Sequence, residues 1–210
     1  DRFLNVLLRP QWNSWLVRGG YAMTIFGGVI SLWLANNWLG FNLPDQAIQY
    51  ITFPFAIVLA IYTAFLFAQA KGRDFWQSPT LVLHMLVHSV MAGVAALSLL
   101  SLLIGEEDWM TLLKPLLIGA LVVNLFVLIT ELTVTHPTTS AKMVVKMITK
   151  GRYKNLFWMG TVLIGNIFPL ATALFCPDAT SFYVISVLVL AGIYFTEKIW
   201  VEAPQRVPLA

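Results

Sequence analysis

Hydrophobic positions run along this chain in long unbroken blocks, not in alternation or short patches. A helix that crosses a bilayer needs roughly 20 mostly apolar residues. Six blocks meet that length: 16–36, 47–70, 79–104, 110–134, 156–175 and 181–200. They lack the period-two pattern of barrel strands, so each predicts a helix. The expected fold class is therefore all-α: a polytopic transmembrane helix bundle, with six helices in a single domain over 1–210. Polar separators fall between the blocks. They include Lys71-Gly72-Arg73-Asp74, Glu106-Glu107-Asp108 and Cys176-Pro177-Asp178, and Pro79 stands where a first helical turn tolerates proline. Trp12, Trp38, Trp76, Trp109 and Trp200 lie near predicted helix ends, the position of an interfacial aromatic belt.

One connection is long. Within 140–155, Lys142, Lys146, Lys150 and Lys154 recur every four residues and share a helical face. Met143, Val144, Met147 and Ile148 fall mostly elsewhere on the wheel. This predicts an amphipathic helix on the cytoplasmic membrane surface, facing anionic lipid, with a solvated loop helix as the alternative.

Composition agrees with the pattern. Hydrophobic residues make up 59% of the chain and charged residues only 11%, against roughly a quarter charged in a soluble domain. So little charge cannot coat a water-facing surface, and lipid is the expected solvent. Where the charge sits sets orientation. Arg2, Arg9, Arg18, Lys71, Arg73, the five basic residues of 142–154, Lys198 and Arg206 fall on one set of loops. Asp45, Glu106, Glu107, Asp108 and Asp178 fall on the other, where the only basic neighbour is Lys114. The positive-inside rule puts the first set, and both ends of the chain, in the cytoplasm. The expected location is a bacterial cytoplasmic (inner) membrane.

Other classes lose support. A single cysteine, Cys176, gives neither an internal disulfide framework nor a four-cysteine iron–sulfur site. No phosphate-binding glycine loop, zinc-protease motif or hydrolase elbow occurs, so no catalytic residue is assigned. The basic residues belong to topology, and nucleic-acid binding has no support. The opening Asp1-Arg2-Phe3 resembles neither a signal peptide nor a native start, and the sequence is expected to begin part-way along a longer protein.

Polar groups inside apolar spans are costly, and each raises a functional hypothesis beside plain helix–helix hydrogen bonding. Gly19, Gly20, Gly27 and Gly28 give the first helix a small-residue face for close packing. His84 and His88, spaced i, i+4, project to one side of the third helix. A haem between helices takes an axial ligand from each side, and His136, the remaining histidine, lies in a loop beside Pro137. No haem or metal is therefore expected on this chain. The imidazoles are instead candidates for proton handling. Glu131, late in the fourth helix, falls at the depth of His84, because helices three and four run in opposite directions. With Asn124 these residues would line a polar path from the cytoplasm. Asn166 and Pro169 predict a break in the fifth helix. Tyr62, central in the second helix, needs a hydroxyl partner, either a backbone carbonyl or a ligand acceptor such as a quinone carbonyl.

The order of short local patterns carries a resemblance. Asp1-Arg2-Phe3, Leu8-Arg9-Pro10 and Ser14-Trp15-Leu16-Val17-Arg18-Gly19-Gly20-Tyr21 resemble the loop and helix start of the NrfD/polysulfide reductase membrane-subunit family. Tyr62-Thr63-Ala64 with Trp76 and a Pro79 helix is similar to that family's next helix pair. Glu197, Trp200 and Ala203-Pro204-Gln205-Arg206-Val207-Pro208-Leu209 resemble its ending, with departures at Pro204 and Ala210. The resemblance implies helices three to eight of an eight-helix form. It also implies a subunit that reacts with quinone or quinol (menaquinone or ubiquinone), holds no metal and is not a complete enzyme. Its implied partners are an iron–sulfur (ferredoxin-like) subunit and a molybdopterin, multihaem cytochrome c or hydrogenase subunit, as in polysulfide reductase and alternative complex III. It makes Tyr62 the quinone contact. His84, His88 and Glu131 are not transferred from the family. A haem-b anchor and a secondary transporter are the alternatives.

Overall fold

A computed structural model describes residues 8–134, 136, 138–176 and 178–208. Among these residues the chain is all-helical, and six of its helical spans are long and apolar enough to cross a membrane. The chain divides into two compact units, Asp1–Ala70 and Lys71–Ala210.

The first unit is a helical hairpin of α1 (Trp15–Leu39) and α2 (Asp45–Ala68). Its turn is tied by Asn36, which accepts from the Leu43 amide (2.8 Å) and donates back to the Leu43 carbonyl (3.2 Å). The indole of Trp33 donates to Asp45 at 3.1 Å. At the other end, Trp15 stacks on Phe65 at 4.2 Å. The amide of Gln69 donates to the Asn13 carbonyl, and its oxygen accepts from the Trp15 N–H. Only Val17, Gly19, Ala22, Asn36, Ile48 and Ala64 are buried along the two helices. A two-helix hairpin this apolar leaves most of its surface to lipid or to other protein.

The second unit begins with a 3₁₀ turn, Asp74–Gln77. Helices α3 (Thr80–Ile104) and α4 (Met110–Thr133) follow as an antiparallel pair. Next comes the short α5 (Thr139–Thr149), and then a π-helical segment, Leu156–Ile167, which runs straight into α6 (Phe168–Phe175). The long α7 (Ala179–Gln205) closes the unit. Asp178 caps α7 by accepting from the Ser181 amide (2.8 Å) and hydroxyl (2.9 Å), and those bonds hold its carboxyl below the usual range. Helix α7 packs against α3 and the π-helical segment. The core between α3, α4, α6 and α7 is aliphatic: Met91, Ala95, Leu117, Leu121, Ile185 and Val189 are almost fully shielded.

The expected break in the fifth helix takes the form of a wider winding. The π-helical stretch covers 12 residues, long for a form that usually appears as a single-turn bulge. Asn166 supports it by donating its side-chain amide to the Thr161 carbonyl at 2.7 Å. The wide segment meets α7 at Gly165 and Gly192, where a Cβ on either residue would strike the other's backbone. Small residues at this crossing let two backbones touch.

Two expectations change on contact with the structure. Trp76 and Trp200 do not belong to an interfacial belt: both are buried, at 7% and 1% exposure. Helix α5 ends at Thr149, short of the 140–155 read from lysine spacing, because the chain turns back and the Tyr153 amide bonds the Met147 carbonyl. The apolar side of α5, namely Ala141, Val144 and Ile148, is buried within its own unit, while its lysines stay at the surface. Of the four glycines on α1, Gly19 meets the Tyr62 ring, and Gly20, Gly27 and Gly28 face open space.

Candidate functional site

The ionisable groups of the second unit converge. His84 and His88 sit one turn apart on α3 with ring centroids 4.2 Å apart. Glu131 reaches His84 from α4, its Oε2 lying 2.8 Å from Nδ1. Glu197 reaches both imidazoles from α7. Its Oε1 lies 2.6 Å from His88 Nδ1 and 3.5 Å from His84 Nε2. His84, His88 and Glu131 are buried, and the Glu197 side chain is 31% exposed. On the other side of Glu131, its Oε1 accepts from the Thr80 hydroxyl at 3.3 Å, and the Ser78 and Thr80 hydroxyls are 2.6 Å apart. His136 closes over the same residue, with Nε2 3.0 Å from the Glu131 carbonyl.

The helix geometry explains the convergence. An i, i+4 pair stacks on one face of α3, and α4 and α7 both pack against α3. A buried charge is tolerable only when paired and hydrogen-bonded, and each of the four ionisable groups has such a partner. Three ring nitrogens, Nε2 of His84, Nε2 of His88 and Nε1 of Trp200, are buried without a hydrogen-bond partner among the described residues.

A metal must be tested against this arrangement, because His84, His88 and Glu197 can bring one donor atom each within 4.8 Å of one another. Two ligands of one tetrahedral cation, at bonds of about 2.0–2.1 Å, stand roughly 3.3 Å apart. His88 Nδ1 and Glu197 Oε1 are at 2.6 Å, hydrogen-bond distance and closer than two ligands of one cation stand, so a metal here would need that pair to part. Both rings belong to one helix, so they offer a haem a ligand from one side only.

The site is braced by aromatic residues. Trp200 packs on His84 with centroids 5.2 Å apart, and Phe75 and Phe157 lie against Trp200. Pro204 lacks the N–H that would bond the Trp200 carbonyl four residues back. The Trp76 indole fills that role, donating to the Trp200 carbonyl at 2.8 Å. Arg73 then holds the end of α7 by donating to the carbonyls of Pro204 (2.7 Å) and Val207 (2.6 Å).

Within the second unit, Asn124 separates from this cluster. Asn124 lies two turns from Glu131 on α4 and donates instead to Asn166 at 2.8 Å. That amide pair continues to Thr161, and Thr196 stands 3.1 Å from the Thr161 hydroxyl. The pairing follows from the π-helical winding, which brings Asn166 to α4. Tyr62 belongs to the first unit. It is half-buried, and its ring lies against Gly19, where a Cβ would overlap the ring carbons. Among the described residues nothing bonds its hydroxyl, so the backbone-carbonyl partner considered from the sequence is not present there. A further crevice of about 580 Å³ lies between α4 and the π-helical segment, lined by Leu125, Leu128, Ile129, Phe157, Trp158 and Val162 among others. Among the described residues, no ionisable side chain lines it.

Glu197 is a site residue that the sequence reading does not single out. Its signal is visible: an acidic residue inside the last apolar block, noted there only as part of a C-terminal pattern. Its partner His88 is 109 positions away, a pairing that no local spacing reveals.

Comparison with known protein families covers nearly the whole chain. The family model described as polysulphide reductase, NrfD, matches residues 1–205. No curated protein matches the chain.

Proposed function

The chain belongs to the NrfD, polysulphide reductase, family, and from that premise we propose that it is the quinone- or quinol-reactive membrane subunit of a respiratory oxidoreductase, exchanging electrons with a peripheral iron–sulfur subunit. The family is one of multi-pass membrane subunits that work with redox partners. The match over residues 1–205 is the observation that carries the reading. The ferredoxin-like subunit would in turn connect to a molybdopterin, multihaem cytochrome c or hydrogenase subunit. The proposed location is a bacterial inner membrane, and the one-sided placement of Lys and Arg supports an orientation with both ends of this chain cytoplasmic.

Tyr62 is the quinone-binding candidate on this chain. Its free hydroxyl can donate to a quinone carbonyl, and its ring is held by Gly19. His84, His88 and Glu131 are the groups that exchange the protons accompanying quinone chemistry, since imidazole titrates near neutral pH. The quinone supplies the electron chemistry when bound. This chain's part is to donate a hydrogen bond to it and to move protons.

The test is Tyr62→Phe in the assembled complex. The change keeps the ring on Gly19 and removes only the hydroxyl. A hydrogen bond to an oxygen that gains charge on reduction contributes roughly 1.5–3 kcal/mol. Quinol turnover should therefore fall about ten- to a hundredfold, with assembly intact. Unchanged turnover per assembled complex would remove Tyr62 from the quinone site.

A further inference from the structure

We propose that the second unit contains a proton relay in which Glu197 is the exchanging carboxylate, carrying protons between the Ser78–Thr80 end of α3 and His88. The contacts form a chain with one gap, between His84 Nε2 and Glu197. Ser78 and Thr80 hydroxyls stand 2.6 Å apart, Thr80 is 3.3 Å from Glu131, and Glu131 is 2.8 Å from His84. Glu197 then lies 3.5 Å from His84 and 2.6 Å from His88. From Thr80 to His88 the rise along α3 is about 12 Å, so the chain enters the span by more than a third of a bilayer core of about 30 Å.

The two ends differ as a relay requires. Ser78 and Thr80 are half-buried at the start of α3, beside the loop that the positive charges assign to the cytoplasm. His88 is buried, and its Nε2 has no hydrogen-bond partner. A ring nitrogen shielded from water, whose other nitrogen stands at hydrogen-bond distance from a carboxylate, is where the chain of contacts ends. The groups facing the rings are Glu131 from α4 and Glu197 from α7, with His136 on the Glu131 carbonyl.

Each step balances. Protonated Glu131 gives its proton from Oε2 to Nδ1 of His84, and His84 gives the proton on Nε2 to Oε1 of Glu197. One O–H and one N–H bond break, one N–H and one O–H form, and no electrons move. Glu197 passes its proton to Nδ1 of His88, breaking one O–H bond and forming one N–H bond, and His88 holds it as the imidazolium at the end of the chain. Transfer from His84 requires Glu197 Oε1 to close from 3.5 Å to hydrogen-bond length while leaving His88. Glu197 is the least buried of the four ionisable groups, with the freedom to make that movement. The reverse sequence uses the same bonds.

The relay deepens the proton-handling reading but rests on its own geometry, and the test separates the two. In proteoliposomes holding the complete complex, with a pH-sensitive dye inside and a quinol as reductant, Glu197→Gln should lower proton movement per electron at least tenfold. Glu197→Asp keeps the acid but shortens its reach, and should restore part of that movement. Infrared difference spectra of the resting complex after a step to acid pH read the relay without turnover. Wild type should show a carboxylate band converting to a carboxyl band that Glu197→Gln abolishes. Should wild type fail to oxidise quinol, the quinone reading falls while the infrared signal still decides the relay. Normal proton movement and an unchanged carboxyl signal in assembled Glu197→Gln would overturn it. So would Glu197→Asp behaving as fully as Glu197→Gln while assembling normally.

Discussion

The contact between Trp76 and Trp200 permits a sharp test of how the site is held. Pro204 cannot donate to the Trp200 carbonyl, and the Trp76 indole donates in its place at 2.8 Å. Trp76→Phe leaves that carbonyl without a donor in a region where Trp200 is 1% exposed. A buried acceptor left unsatisfied costs about 1–3 kcal/mol, and the smaller ring adds a packing loss. Pro204→Ala restores the missing backbone N–H. Combined with Trp76→Phe, it should remove the cost of the orphaned carbonyl but not the packing loss. The coupling between the two substitutions is therefore expected at about 1–2 kcal/mol. At about 2–4 °C per kcal/mol for a chain of this size, Trp76→Phe should lower the melting temperature by at least several degrees. The double variant should regain much of the loss. Thermal unfolding in mild detergent, followed by the helical circular dichroism signal, measures both. A loss from Trp76→Phe that is equally large with and without Pro204→Ala would refute the reasoning and reduce the indole contact to packing.

Two further tests use features already in the chain. Cys176 is the sole cysteine and is exposed, so a membrane-impermeant maleimide should label it from outside intact cells; labelling only after permeabilisation would reverse the orientation. Asp74 tethers α5 by accepting from the hydroxyls of Thr138 and Ser140 (the latter at 2.8 Å), and those bonds hold its carboxyl below the usual value. The tether's contribution is complete above the ordinary carboxylate pKa of about 3.9 and is lost as pH falls through the lower folded value. Amide exchange over 139–149 should therefore accelerate only well below about pH 4. Ser140→Ala, which removes one of those bonds, should move the onset upward, and an unmoved onset would discard the tether.

Much of the architecture is legible because lipid imposes it. A span must be about 20 apolar residues long, and that requirement overrides local detail, which is why block length alone locates the six helices. The i, i+4 spacing of His84 and His88 and the acidic Glu131 inside an apolar run are legible for the same reason: an ionisable group in hydrocarbon stands out. What the sequence hides are pairings between helices. Depth along the bundle groups Asn124 with the histidines and Glu131, yet the winding of the π-helical segment delivers Asn166 to it first. Trp76 and Trp200 sit at helix ends, where tryptophan normally marks an interface. Their burial follows from a proline that leaves one carbonyl needing a donor, a cause with no periodic signature.

The second unit thus holds two buried polar clusters with opposite physical characters. Asn124, Asn166, Thr161 and Thr196 are neutral amides and hydroxyls. They link α4, the π-helical segment and α7, and Thr196 also donates to the carbonyl of Gly192, the residue at the tight crossing. Such a network fixes one arrangement of helices and has no group that titrates near neutral pH. The cluster of His84, His88, Glu131 and Glu197 is ionisable throughout and ends on an imidazole nitrogen with no partner. A well-packed aliphatic replacement for a buried ion cluster is often as stable or more so, and the neighbouring core of Met91, Leu117 and Ile185 shows that these same helices can pack that way. Bundle stability therefore gives the first cluster a sufficient role, although its Asn124 Oδ1 is itself buried without a partner, and gives the second a weaker one. The aromatic brace on the second, from Trp76 through Trp200 to His84, holds an imidazole at hydrogen-bonding distance from an acid, the geometry that the proposed relay uses.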